Sequence, residues 1–161
     1  AGTEASGTGN MKAVLNGGVI IGTLDGANVE IGEAVGPENI FIFGKTAEEV
    51  EALKSSGYSP SACLTQDHAL HRVVDWIRNQ EVFRPLVHAI AENDRYFHCA
   101  DFPSYVQTQR EASEAWTRAD DWSVKSILNV ARSGRFSADR TIADYAREIW
   151  NVEPVPVTVK R

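Results

Sequence analysis

Nine residues near the start of the chain, EASGTGNMK from Glu4 to Lys12, gather groups that could do chemistry. The Glu4 carboxylate and the Ser6 hydroxyl precede Gly7, Thr8 and Gly9, and Lys12 follows three residues later. If a helix opens at Thr8, its first backbone N–H groups have no intrahelical acceptor and carry the positive end of the helix dipole. Glycines at positions 7 and 9 let an anion come close to that backbone, so Gly7, Thr8 and Gly9 can seat a phosphate. Lys12 lies about one turn further on, a rise of about 5.4 Å, and helical side chains lean back towards the N-terminus. The spacing suits a ligand with an anion at one end and an amine-reactive carbon at the other, and pyridoxal phosphate has both. The same residues equally suit a plain glycine cap followed by a solvated lysine.

Other candidate groups read as structural. His68 and His71 stand three apart on a predicted helix beside Asp67, but no third ligand follows at a metal-site spacing, so no metal is assigned. Asp120 and Asp121 precede a predicted helix from Trp122, where acids favour a helix start. Trp76, Trp116, Trp122 and Trp150 are expected in the core rather than as sugar-stacking platforms. Ser137 or Asp139, in FSADRTI, is expected to cap the last helix, and no phosphorylation site is read there. Cys63 and Cys99 are far apart in sequence and form no C-x-x-C pattern, as two ordinary thiols in a reducing compartment would be.

The elements that must position the opening motif follow from periodicity. At 161 residues the chain suits one domain, with 43% hydrophobic and 24% charged residues. The net charge is -6 and the bases are scattered, which argues against a nucleic-acid partner, and no apolar run is long enough to span a bilayer. Ala1 in place of Met and the absence of a basic-then-apolar leader suggest a cut end. Short helices are expected over 8–16 and 27–34, each followed by a buried strand, at 19–23 and 40–43. Strands alternating with helices imply parallel pairing. Thr46 and Glu49 make a capping box, 57–61 reads as a loop, and Leu70, Val73, Val74 and Ile77 mark one helical face. Further helical stripes run through 86–91, 105–116, 124–130 and 142–150, and the proline-containing segment 151–161 is expected to be an extended tail. Two strands need more neighbours than these residues supply, so the chain reads as part of a larger α/β domain.

The stretch EASGTGNMKAVLN, Glu4 to Asn16, resembles without a gap the pyridoxal-phosphate attachment motif of the glycogen and starch (α-glucan) phosphorylases. GTLDGANVEI (22–31), ENIFIFG (38–44) and SILNVARSGRFSADRTIADYAREIWNVEP (126–154) are similar, in the same order, to the carboxy-terminal domain of that family. The resemblance implies an α/β fold: a partial Rossmann-like carboxy-terminal domain of a GT-B type glycosyltransferase, helix-rich with two or three short parallel strands. Residues 1–161 would form that one incomplete domain. It implies a glucan phosphorylase, which cleaves terminal α-1,4 bonds with inorganic phosphate to give glucose 1-phosphate. Lys12 would anchor pyridoxal phosphate as a Schiff base, Thr8 and Gly9 would contact the cofactor phosphate, and Glu4, Ser6 and Gly7 would meet hydroxyls of the transferred glucosyl unit. Asn10 and Met11 would serve motif geometry and packing. The resemblance further implies a cytoplasmic, allosteric, homodimeric parent whose amino-terminal domain forms the other wall of the site, so that the chain alone is inactive and holds the cofactor weakly or not at all. Two other readings stand beside it: a non-catalytic folding or interaction module, and a fragment of a nucleotide-sugar glycosyltransferase.

Overall fold

The computed structural model describes residues 1–4, 6–153 and 155. Helix α1 (Thr8–Leu15) leads through a glycine turn to strand β1 (Ile21–Thr23), then helix α2 (Ala27–Val35) and strand β2 (Phe41–Phe43). The two strands pair in parallel, Ile21 opposite Phe41 and Thr23 opposite Phe43, so β1–α2–β2 is a βαβ unit. Seven α-helices follow among the described residues: α3 (Ala47–Ser55), α4 (Pro60–Gln66), α5 (His68–Arg78), α6 (Arg84–Val87), α7 (His98–Trp116), α8 (Ala119–Arg132) and α9 (Ala138–Tyr145). This is the helix-rich α/β architecture with two short parallel strands that the sequence implies.

Local signals hold where the stabilising groups are close in sequence. Thr46 Oγ1 accepts from Glu49 N–H, and a Glu49 carboxylate oxygen accepts from Thr46 N–H at 2.8 Å, completing the capping box of α3. Ser137 Oγ accepts from Arg140 N–H and caps α9. Other expectations shift. Pro60 starts α4 inside the predicted loop, since its fixed φ suits a first helical position. Asp120 and Asp121 lie within the first turn of α8 rather than ahead of it, where they still favour its start. Asp67 is the N-cap of α5, accepting from Ala69 and Leu70 N–H, and His71 pairs with Asp75 at 3.0 Å. Among the described residues, no three His, Cys, Asp or Glu side chains are placed to share a metal ion. Of the predicted tail, 154 and 156–161 lie outside the described residues; Val152 N–H donates back to Ala146.

Two apolar clusters hold the chain. The first joins α1, β1, α2 and the start of β2 through Val14, Ile20, Ile31, Val35 and Ile40, with Met11 and Phe136 packed against them. The second lies among α4 to α7 around Leu70, Val74, Val87 and Cys99. Helix α8 ties the first cluster together from the far end of the sequence. Ser126 Oγ donates to Gly17 O, Asn129 Nδ2 to Gly18 O, and Arg132 to Val35 O, while Lys125 bonds the Glu38 carbonyl.

The tryptophans depart from the sequence reading. Trp76, Trp116 and Trp150 are 64%, 65% and 53% exposed, and only Trp122 is half-buried, stacked on Phe41 with ring centroids 6.4 Å apart. Helical period identifies an apolar stripe, but the stripe is covered only where another element reaches it. Two substitutions test this division. In chemical denaturation of the chain, Ile31→Ala is expected to cost about 2–5 kcal/mol because Ile31 is fully buried. Trp76→Ala should cost less than about 0.5 kcal/mol.

Candidate functional site

The opening motif is held against the carboxyl end of β1 by side chains of the turn that follows it. The Asp25 carboxylate accepts Thr3 N–H and Glu4 N–H at 2.9 Å through one oxygen and Gly26 N–H at 2.8 Å through the other. Partial burial works to raise the Asp25 pKa, but the backbone donors of Glu4, Thr3, Gly26 and Gly2 outweigh it and hold the carboxyl below its ordinary 3.8. Three residues after Asp25, in the first turn of α2, the buried Asn28 accepts from Asn10 Nδ2 at 2.8 Å and donates to Thr23 O at 3.0 Å, which links α1 to β1. Asn10 is expected to serve motif geometry, and its bond to Asn28 shows how it does so.

Gly7 caps α1 in the left-handed region at φ 65, ψ 28. Its carbonyl accepts from Asn10 and Met11 N–H at 3.0 and 3.2 Å, so the N–H groups of Thr8 and Gly9 are the ones without an intrahelical acceptor. A Cβ at Gly7 would lie 2.8 Å from the Ala27 methyl, whereas one at Gly9 would meet nothing within 4 Å. Gly7 therefore allows the close packing of α1 on α2, and Gly9 leaves the helix end open. No acidic residue occupies the first turn of α1. Thr8, Gly9 and Lys12 are exposed, and among the described residues neither the Thr8 nor the Lys12 side chain has a hydrogen-bond partner, while the Lys12 carbonyl accepts from Asn16 Nδ2 at 2.8 Å.

The carboxylate of Glu4 turns onto its own chain, one oxygen accepting from Gly7 N–H at 3.1 Å and from Ser6 N–H at 3.4 Å. Its other oxygen takes no partner among the described residues. Glu4 also lines a cleft of about 620 Å³ at the carboxyl ends of β1 and β2, whose walls include Thr23, Asp25, Phe43, Tyr96, Asp101 and Tyr105. Open α/β sheets bind ligands at that end of their strands. The predicted residues therefore fall into two groups: Glu4 faces the cleft, while Ser6, Gly7, Thr8, Gly9 and Lys12 lie outside its lining, on and around the start of α1. The aromatic wall of the cleft escaped the sequence reading, because Phe43 and Tyr105 meet only through the packing of α7 on β2, with ring centroids 5.2 Å apart.

A half-sheet with a glycine-capped helix beside its carboxyl end and an exposed lysine one turn along is the α/β arrangement that the opening motif required. The family model described as carbohydrate phosphorylase matches residues 1–152, and the chain belongs to that family. It is 46% identical to a glycogen phosphorylase of Synechocystis sp. over 99% of its length and 20% of that protein. It is 48% identical to a glycogen phosphorylase of Haemophilus influenzae over 96% of the chain and 20% of that protein. It is also 47% identical to the brain form of glycogen phosphorylase from Rattus norvegicus, over 96% of the chain and 19% of that protein. The chain thus spans about a fifth of the length of the curated relatives it matches. Among the described residues, no helix is long and apolar enough to cross a membrane.

Two measurements address this geometry. Gly7→Ala forces a side chain into a left-handed backbone and against Ala27, and is expected to lower stability by about 1–3 kcal/mol. Because Asp25 ionises more readily folded than unfolded, its contribution is present above pH 3.8 and disappears as pH falls through the lower folded value. The amide resonances of Thr3 and Glu4 should shift together with a midpoint below 3.8, and Asp25→Asn should abolish that titration.

Proposed function

We propose that the chain is the cofactor-bearing part of an α-glucan phosphorylase, an enzyme that cleaves terminal α-1,4-glucosidic bonds with inorganic phosphate to release glucose 1-phosphate. The observation that carries the reading is the start of α1: the N–H groups of Thr8 and Gly9, which have no intrahelical acceptor, with the exposed Lys12 one turn along, in a member of the carbohydrate phosphorylase family. These residues fit pyridoxal 5'-phosphate. The helix end would offer backbone donors to its phosphate, the open side at Gly9 would admit it, and the exposed Lys12 would hold its other end. When bound, the cofactor supplies a phosphate group that partners the substrate phosphate in proton donation.

The chain's own residues position and bind. Glu4, Ser6 and Gly7 would hold hydroxyls of the transferred glucosyl unit, with the free oxygen of Glu4 as a charged acceptor at the cleft rim. The turn is stiffened by Asp25 and by the inward-turned oxygen of Glu4, so the backbone donors are aimed before a ligand arrives. We take residues 1–161 as one incomplete carboxy-terminal domain of a cytoplasmic, allosterically controlled homodimer, with glucan and phosphate held between it and an amino-terminal domain. The exposed position of Ser6, Thr8, Gly9 and Lys12 supports a second wall. It also favours a non-catalytic role for the chain when alone, because catalysis needs groups fixed to fractions of an ångström by a surrounding shell.

The test is made on parent and chain together. In the full-length parent, borohydride should trap pyridoxal phosphate on the Lys12 peptide, and Lys12→Ala should lower glucose 1-phosphate formation at least about a hundredfold. The 161-residue chain should form no glucose 1-phosphate and retain no cofactor absorbance after dialysis. Trapping at another lysine would overturn the site assignment, and turnover by the chain alone would overturn the two-walled site.

A further inference from the structure

Away from this site, the structure brings together two side chains that the sequence keeps far apart. Cys63 in α4 and Cys99 in α7 belong to one apolar cluster and line one cavity of about 430 Å³ between those helices. Both are thiols, Cys99 buried and Cys63 half-buried. A chain of contacts connects them. Cys63 Sγ lies 3.9 Å from the Tyr58 hydroxyl, that hydroxyl donates to Asp94 Oδ2 at 2.5 Å, and the same oxygen accepts Cys99 N–H at 2.9 Å. Burial, then the Asp94 carboxylate, then Cys63 itself push the Cys99 thiol up to about 12. Cys99 is therefore protonated and shielded, and Cys63 is the sulfur that a small reagent reaches first.

We propose that Cys63 and Cys99 form a reversible intramolecular disulfide that clips α4 to α7 when the protein meets a low-molecular-weight disulfide. The Cys63 thiolate attacks one sulfur of the oxidant, whose S–S bond breaks to release one thiolate and leave a mixed disulfide on Cys63. The Cys99 sulfur, giving up its proton, attacks Cys63 Sγ and displaces the second small thiolate. The two protein thiols are oxidised, the small disulfide is reduced to two thiols, and the two protons end on the leaving thiolates. Both cysteines line the cavity between α4 and α7, and closing the bond draws their Cα atoms to within about 7 Å of each other. Asp94 and Tyr58 hold the segments ahead of α4 and α7 in place meanwhile, since Asp94 also accepts His98 N–H at 2.8 Å.

The full chain, incubated with oxidised glutathione, alkylated and analysed by intact mass and non-reducing digestion, tests the pair. The expected result is loss of both alkylatable thiols, no retained glutathione, a Cys63–Cys99 cross-linked peptide, and full recovery with dithiothreitol. Cys63→Ser, at a half-buried position that tolerates the change, should slow thiol consumption at least about tenfold. Cys99→Ala should leave a stable glutathione adduct on Cys63. Persistence of both free thiols in the unaltered protein, an adduct that stays on Cys63, or cross-links only between molecules would each overturn the proposal.

Discussion

The Asp25 carboxylate is the contact on which the opening motif depends. The backbone donors of Thr3 and Glu4 lie outside any regular element among the described residues, and both find the same Asp25 oxygen. The other oxygen closes on Gly26, whose φ of 51 and lack of a side chain let Glu4 pass close by. A Cβ at Gly26 would lie 2.5 Å from Glu4 Cγ. One carboxylate thus fixes where the segment crosses the end of β1, and through Glu4 it fixes the turn at Gly7. Asn28 repeats the logic one turn deeper, joining α1 to the last carbonyl of β1. The Glu4 carboxylate and the helix end are positioned by the same short turn.

How far the sequence could be read depended on the distance between interacting groups. The capping box of Thr46 and Glu49 and the cap at Ser137 are three-residue relations, and both hold. The helix end at Gly7 to Gly9 was legible for the same reason, with the difference that Gly7 caps by backbone conformation and no side chain takes part. Relations across more than a hundred residues were not legible: Asn129 to Gly18 and Ser126 to Gly17 join segments that periodicity treats separately. That Cys63 and Cys99 line one cavity was not legible either, since spacing in the chain carries no information about two helices packing. The tryptophans failed for another reason. A stripe on one face shows which side of a helix is apolar, whereas burial depends on whether another element covers it.

The candidate site divides along a physical line. Its fixed part is backbone: the αL turn at Gly7, the N–H groups that open α1, and the glycine contacts with α2, all set by sterics and by bonds to Asp25 and Asn28. Its adaptable part is side chain, and Ser6 and Lys12 remain exposed. A long exposed lysine loses rotamer entropy when it is ordered, a cost that burial of a partner or a covalent bond must offset. Fixed backbone donors and an exposed amine therefore differ in how much rearrangement any contact with them would require.

The last helix extends the same reasoning to the surface. Helix α9 is capped by Ser137 and carries ion pairs from Asp144 to Arg140 and Arg147, yet none of its residues is buried. An isolated helix of this length is marginal in water, and exposed ion pairs add only about 0.5 kcal/mol each. Ile142 and Tyr145 nevertheless lie exposed along it, as do Ile149 and Trp150 in the π-helical turn that follows (Ala146–Trp150), with Tyr145 and Trp150 packed edge to face at 5.7 Å. Local capping and one aromatic contact give such a segment its shape, whereas burial of a stripe would give it its stability. The opening motif and α9 therefore differ in what holds them, Asp25 and Asn28 in the first case and local capping in the second, yet each presents exposed groups that a covering surface would complete.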